Sequence, residues 1–136
     1  MIIIVDSDGL IGVSNPDDIH YLKSIELLSI LQKEGAKLIY PASTIAESCA
    51  ILQIRLNRAV ITDQIFEAVK SGSFFIEAVD QQILITAMSF LKKGRGKHAT
   101  LFDGIVAAVA LKYKADAIFS FDKFYKSKGF KLAFEL

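Results

Sequence analysis

The feature that most constrains this chain is an apolar segment, Ile105 to Leu111, set between two acids, with Asp103 just before it and Asp122 at the end of the next apolar run. Thr100 reads as an N-cap, and Thr100-x-x-Asp103 has the spacing of a capping box. The seven residues that follow, Ile-Val-Ala-Ala-Val-Ala-Leu, predict a helix that is apolar nearly all round and lined with small alanines, hence buried under closely packed neighbours. Lys112, Tyr113 and Lys114 close it, where cations suit the C-terminal dipole. Ala117, Ile118 and Phe119 then make a brief strand that runs through Ser120 and Phe121 to Asp122. A central helix that opens on one carboxylate and a core strand that stops at another add little to stability. The arrangement suits the holding of a metal ion.

The rest of the chain alternates strand and helix. Ile2-Ile3-Ile4-Val5 is an unbroken β-branched run, as in a strand buried on both faces. It ends in the turn-forming cluster Asp6-Ser7-Asp8-Gly9. Asn15-Pro16-Asp17-Asp18 reads as a loop, and Leu22, Ile25, Leu28 and Leu31 predict a helix from about Asp18 to Glu34, stopped by Gly35. Lys37 to Tyr40 is a second strand. Ser43 and Thr44 offer N-caps for a helix running to Leu56, and Thr44-x-x-Glu47 again has the capping-box spacing. Further helices are predicted from Thr62 to Lys70 and from Gln81 to Lys92, with a strand at Phe74-Phe75-Ile76 between them. Lys123 to Lys128 reads as a turn or short helix, and Phe130 to Phe134 as a last strand.

Strands separated by helices predict an α/β fold, a three-layer α/β/α sandwich around a mostly parallel sheet. In such folds ligands sit beyond the carboxyl ends of the strands. Asp6 and Asp122 fall at strand ends, and Glu47 and Asp103 in first helical turns, so all four are expected at one edge. At 136 residues the whole chain, 1–136, is expected to be a single domain with a real core. A hydrophobic share of 52% against 23% charged excludes disorder. A net charge of +1 leaves nucleic-acid binding to local patches. The single cysteine, Cys49, forms no internal disulfide and no zinc site. The apolar start, Met1 to Val5, is too short for a signal segment, and no run is long enough to span a bilayer, so a cytoplasmic location is expected.

Four converging carboxylates are costly without a cation, because like charges a few ångströms apart raise each other's pKa. Oxygen-only ligands select hard ions, Mg²⁺ or Mn²⁺. Such an ion lowers the pKa of a bound water and neutralises charge on a phosphoryl oxygen, the two effects that phosphodiester hydrolysis needs.

Four motifs carry a wider resemblance: Ile4-Val5-Asp6-Ser7-Asp8-Gly9-Leu10-Ile11, Ser43-Thr44-Ile45-Ala46-Glu47, Leu101-Phe102-Asp103-Gly104-Ile105-Val106-Ala107-Ala108, and Phe119-Ser120-Phe121-Asp122-Lys123-Phe124. In order and spacing, over essentially the full length, the chain resembles the PIN domain family of metal-dependent ribonucleases and, within it, the toxins of the VapC type. The resemblance implies an endoribonuclease in which Asp6, Glu47, Asp103 and Asp122 coordinate one or two Mg²⁺ or Mn²⁺ ions and activate water against an RNA phosphodiester. It places a supporting hydroxyl at Ser120. It also implies a homodimer, silenced by a cognate antitoxin as the toxin half of a type II toxin–antitoxin pair. Asp8 departs from the pattern, which more often has Asn, Ser or Thr there; Asp8 either reaches the metal through a water or caps the turn into Leu10.

Each acid also has a plainer reading: Glu47 and Asp103 as first-turn capping acids, Asp6 and Asp122 as turn residues. Two other functions share the pattern in part, a PIN-type nuclease for RNA processing or surveillance without an antitoxin, and a non-catalytic module binding RNA or protein. A phosphoacceptor receiver domain fits less well, since Asp122 stands where a late strand would present a lysine. The loop Lys92-Lys93-Gly94-Arg95-Gly96-Lys97-His98 is the candidate contact for RNA backbone, through Arg95 and Lys97, with Arg55 and Arg58 as a possible extension. Ile51, Ile54, Ile61, Ile65 and Phe66 are either core or an apolar groove for a partner helix.

Overall fold

The computed structural model describes residues 1–92 and 98–136. The apolar runs become four short strands, β1 (Ile2–Val5), β2 (Lys37–Pro41), β3 (Phe75–Glu77) and β4 (Ala117–Phe119). Every pairing is parallel and the strand order is β3-β2-β1-β4, so β1, the most apolar strand, lies inside the sheet. Register places Ile4 beside Ile39 on one side and Ile118 on the other. Because side chains alternate across a strand, the run at β1 feeds two cores at once. Ile3 and Val5 face α1 (Ser7–Ser14), α2 (Tyr21–Lys33), α3 (Ala42–Ala50) and α4 (Ala59–Lys70), against Leu10, Leu31, Leu52 and Ile65. Ile4 faces α5 (Gln81–Ser89), α6 (Leu101–Tyr113) and α7 (Phe124–Ser127), against Ile105, Val109 and Tyr125. The three-layer sandwich read from the sequence is the fold observed.

The central helix α6 is buried without a break from Gly104 to Ala110, as its alanines require. Gly104 is needed for that seat, since a Cβ there would lie 2.6 Å from the Ala87 carbonyl oxygen of α5. Gly9 does the same for α1, where a Cβ would lie 2.5 Å from the Phe119 carbonyl oxygen of β4.

Several local expectations are corrected. Asp6 to Gly9 is no turn: Asp6 is the N-cap of α1, and its side chain accepts the Ser7 N–H. Ser and Asp in a first turn favour a helix start as readily as a loop, and Gly9 serves packing rather than chain reversal. α2 begins at Tyr21, later than Asp18, because Asn15 and Asp18 accept backbone N–H groups two residues on and hold the loop in turns. α3 begins at Ala42 with Pro41 as its cap, so neither Ser43 nor Thr44 caps it. Beyond Ala50 it continues as one π-helical turn, Ile51–Arg55, instead of plain α-helix to Leu56. α4 starts three residues earlier than expected, and α5 ends at Ser89. The last strand reduces to one bridge, Leu132 to Ile118, followed by a 3-10 turn at Ala133–Glu135.

The apolar helices divide cleanly. Ile61 and Ile65 are core, while Ile54 is 79% exposed and Val60 70%. No helix among the described residues is long and apolar enough to cross a membrane.

Candidate active site

The carboxylates lie along the edge where the strands end. β1 delivers Asp6, whose N–H continues the ladder by donating to the Phe119 carbonyl at 3.1 Å. Asp6 is buried with three donors around it: Ser7 N–H to Oδ1 at 2.7 Å, and the Ser120 and Tyr125 hydroxyls to Oδ2 at 2.9 Å each. Ser120 follows β4 and is fully buried; its oxygen also accepts Asp122 N–H at 3.0 Å and lies 3.2 Å from Asp8 Oδ2. With a single proton, that hydroxyl can serve only one of the two carboxylates at a time.

Asp8 neither caps the turn into Leu10 nor stands apart. It sits in the first turn of α1, and its Oδ2 accepts the Phe121 N–H at 2.8 Å, which ties α1 to the segment after β4. Its other oxygen, Oδ1, is buried with no hydrogen-bond partner. A buried carboxylate oxygen left unmatched normally costs about 1–3 kcal/mol or more, and a cation would remove that cost.

Glu47 lies in the second turn of α3, one turn later than expected, because the helix starts at Ala42. The capping box assigned to Thr44 and Glu47 does not form. Thr44 is buried inside the helix, and its hydroxyl donates to the Val5 carbonyl at 3.0 Å, locking α3 onto the end of β1. The Glu47 carboxylate is thereby left to turn inward, where it hydrogen-bonds the Ser7 side chain and feels Asp103 and Asp8. At α6 the capping box does form, with Thr100 N–H donating to Asp103 Oδ2 at 2.9 Å. Asp122 Oδ1 accepts Phe124 N–H at 2.8 Å, a local turn that also starts α7. The plain structural roles of Asp103 and Asp122 are therefore real, and each occupies one of the two carboxylate oxygens.

Charge coupling links all five acids. Asp6 is pushed up to about 8, first by burial and then by the charge of Asp8. Asp8 is raised by burial, and also by Asp122. Glu47 is raised by burial, Asp103 and Asp8, and Asp103 by burial and Asp122. Like charges near one another favour the protonated or neutralised forms. The pocket thus favours protons or a cation over five bare charges.

The donor set is all oxygen, which fits Mg²⁺ or Mn²⁺, and the unmatched Asp8 Oδ1 fits a ligand that accepts a lone pair. Among the described residues no three Asp, Glu, His or Cys side chains form a preassembled cage. Such ions keep several waters, and a partial cage is compatible with that.

Other expectations fare unevenly. Arg58 is paired with Asp17 at the surface. His20 stacks on Phe121, ring centroids 3.8 Å apart, at the rim formed by the segment between Ser120 and Asp122. Arg95 and Lys97 lie outside the described residues. Cys49 is buried, as a small apolar side chain would be. The residue that the sequence reading missed is Tyr125, whose hydroxyl lies inside the acid cluster. Its signal was its position three residues after Asp122, at the start of α7.

Neither family models nor curated proteins match the sequence. Solved structures do. VapC20 of Mycobacterium tuberculosis, a toxin that cleaves the sarcin–ricin loop, superposes with a TM-score of 0.81 at 16% identity, over 94% of this chain and 95% of its own. This chain has the fold of VapC20. FitAB bound to an IR36 DNA fragment matches with a TM-score of 0.68 at 17% identity, covering 96% of this chain and 92% of that one. FitAcB from Neisseria gonorrhoeae matches at 0.66 and 18% identity, covering 98% and 99%. The PIN-like architecture implied by the four motifs is thus the architecture found.

Proposed function

We propose that this chain is a Mg²⁺- or Mn²⁺-dependent endoribonuclease that cleaves RNA phosphodiester bonds, and that it is the toxin half of a type II toxin–antitoxin pair acting in the cytoplasm. The observation that carries this reading is the electrostatic coupling of five carboxylates from separate elements at the carboxyl edge of the sheet. Such a cluster is unfavourable unless protons or a cation neutralise it, and the fold that bears it is shared with a toxin that cleaves the sarcin–ricin loop. Asp6, Glu47, Asp103 and Asp122 are the residues to hold one or two ions, with the unmatched Asp8 Oδ1 in the same cluster.

A bound ion would acidify a water and neutralise charge on a phosphoryl oxygen. The chain's own part is orientation. Ser120 holds Asp6 and the Asp122 backbone in register, and Asp8 ties α1 to the loop carrying Asp122. Carboxylates raised by burial also stand ready to exchange a proton with a bound water. Arg95 and Lys97 would meet the RNA backbone, positioning it without reading its bases.

A cognate antitoxin and a homodimer complete the reading. The support is that the fold is shared with FitAB, itself bound to DNA, and that exposed Ile54, Leu56 and Val60 project from the π-helical turn and the start of α4. The test is RNA cleavage by the purified chain with Mg²⁺ or Mn²⁺, against EDTA and against Asp103→Asn. Cleavage lost in both controls supports the reading. Cleavage that survives EDTA, or none with either ion for the wild type, sinks it.

A further inference from the structure

Tyr125 is the least expected member of the acid cluster. It is 0% exposed, in the core on the α6 side of the sheet, and its hydroxyl donates to Asp6 Oδ2 at 2.9 Å. Asp103 lies near enough for the same hydroxyl to favour its ionised form. A phenylalanine would fill the same space without a polar atom to satisfy, so packing explains the ring and not the oxygen. Nor does Asp6 need the phenol merely to be satisfied, because Ser120 and the Ser7 N–H already donate to it.

The hydroxyl is also held rigidly. The Tyr125 carbonyl accepts the N–H groups of Lys128, at 3.1 Å, and Phe130, at 3.0 Å. The turn that starts α7 is fixed by Asp122 Oδ1 accepting Phe124 N–H. One anchored oxygen therefore stands between an acid delivered by β1 and an acid delivered by α6, and the turn that anchors it carries a third acid. It has one proton to share between Asp6 and Asp103, so it restrains both without neutralising either.

We propose that Tyr125 is a positioning residue of the cation site, its hydroxyl bracing Asp6 against Asp103 at the separation that an incoming Mg²⁺ or Mn²⁺ ion needs. The inference rests on the metal-dependent reading above and deepens it. Partners that orient metal ligands typically change affinity 10–100-fold when removed. Tyr125→Phe deletes one oxygen and keeps the ring.

The experiment is calorimetric titration of Mn²⁺ into metal-free wild-type and Tyr125→Phe protein without RNA, with near-ultraviolet difference spectra at each step. The expected result is a Mn²⁺ Kd at least tenfold weaker in Tyr125→Phe, and a tyrosine difference signal in the wild type that the variant lacks. Equal Kd values in the two proteins would overturn the bracing role and leave the metal site standing. Saturable Mn²⁺ binding to the wild type with a silent tyrosine spectrum would overturn it too, whether or not the variant folds. Absence of Mn²⁺ binding to the wild type would remove the metal reading itself, and this proposal with it.

Discussion

The acid cluster predicts an unusual pH dependence of stability in the metal-free protein. Asp6 sits near 3.8 in an ordinary setting and is pushed up to about 8 in the fold, chiefly by burial and secondarily by Asp8. Between those values the folded protein holds a proton that the unfolded chain has released. Unfolding then releases a proton, so stability falls as pH rises. The contribution is complete below about pH 4 and gone above about pH 8. One pKa unit corresponds to about 1.4 kcal/mol, so the slope approaches that figure per pH unit within the window. For a domain of this size that is roughly 5 °C in Tm per pH unit.

The assay is thermal unfolding followed by circular dichroism in EDTA, from pH 5 to 8, for wild type and Asp6→Asn. Groups remote from the cluster largely cancel in the difference, which leaves Asp6 together with the Asp8 charge it is coupled to. The wild-type Tm should fall against that of Asp6→Asn steadily across the range. Mn²⁺ should reverse the trend, since a cation favours the ionised carboxylate, and its stabilising effect should grow toward pH 8. A wild-type minus Asp6→Asn difference that is flat, or that rises with pH in EDTA, would refute the claim that burial holds Asp6 protonated.

Further expectations can be checked independently. Saturating Mn²⁺, at a hundred times its Kd, should stabilise the wild type by about 2.7 kcal/mol, and Asp103→Asn should lose most of that gain in the same melt. Gly9→Ala forces a Cβ to 2.5 Å from the Phe119 carbonyl oxygen and should cost about 1–3 kcal/mol in urea unfolding, while an unaffected midpoint would contradict the close seat of α1 on β4. Neutralising Arg95 and Lys97 together should weaken RNA binding and reduce the slope of log K against log salt by about 1.4, at roughly 0.7 per phosphate contact for single strands. An unchanged slope would remove the basic loop from the RNA interface.

The fold was legible because burial on two faces leaves a plain mark, an unbroken β-branched run at β1 and a helix without a polar face at α6. The acids were legible as positions, since strand ends and helix starts in a parallel sheet share an edge. What was illegible follows from ambiguity in short polar residues. Asp6, Ser7 and Asp8 suit a turn and a helix start alike, and the tie from Asp8 to the Phe121 N–H and the close seat of Gly9 on Phe119 are tertiary. Thr44 looked like a cap because hydroxyls cap helices, yet a carbonyl at the end of β1 needed its proton more. That competition moved Glu47 a full turn into α3 and left its carboxylate to the cluster. Tyr125 was hidden for the opposite reason: among phenylalanines it passes for core, and core it is, up to its last atom. The chemistry of this site thus lies in which buried polar atoms find partners, a tertiary property that spacing along the chain encodes only where elements end.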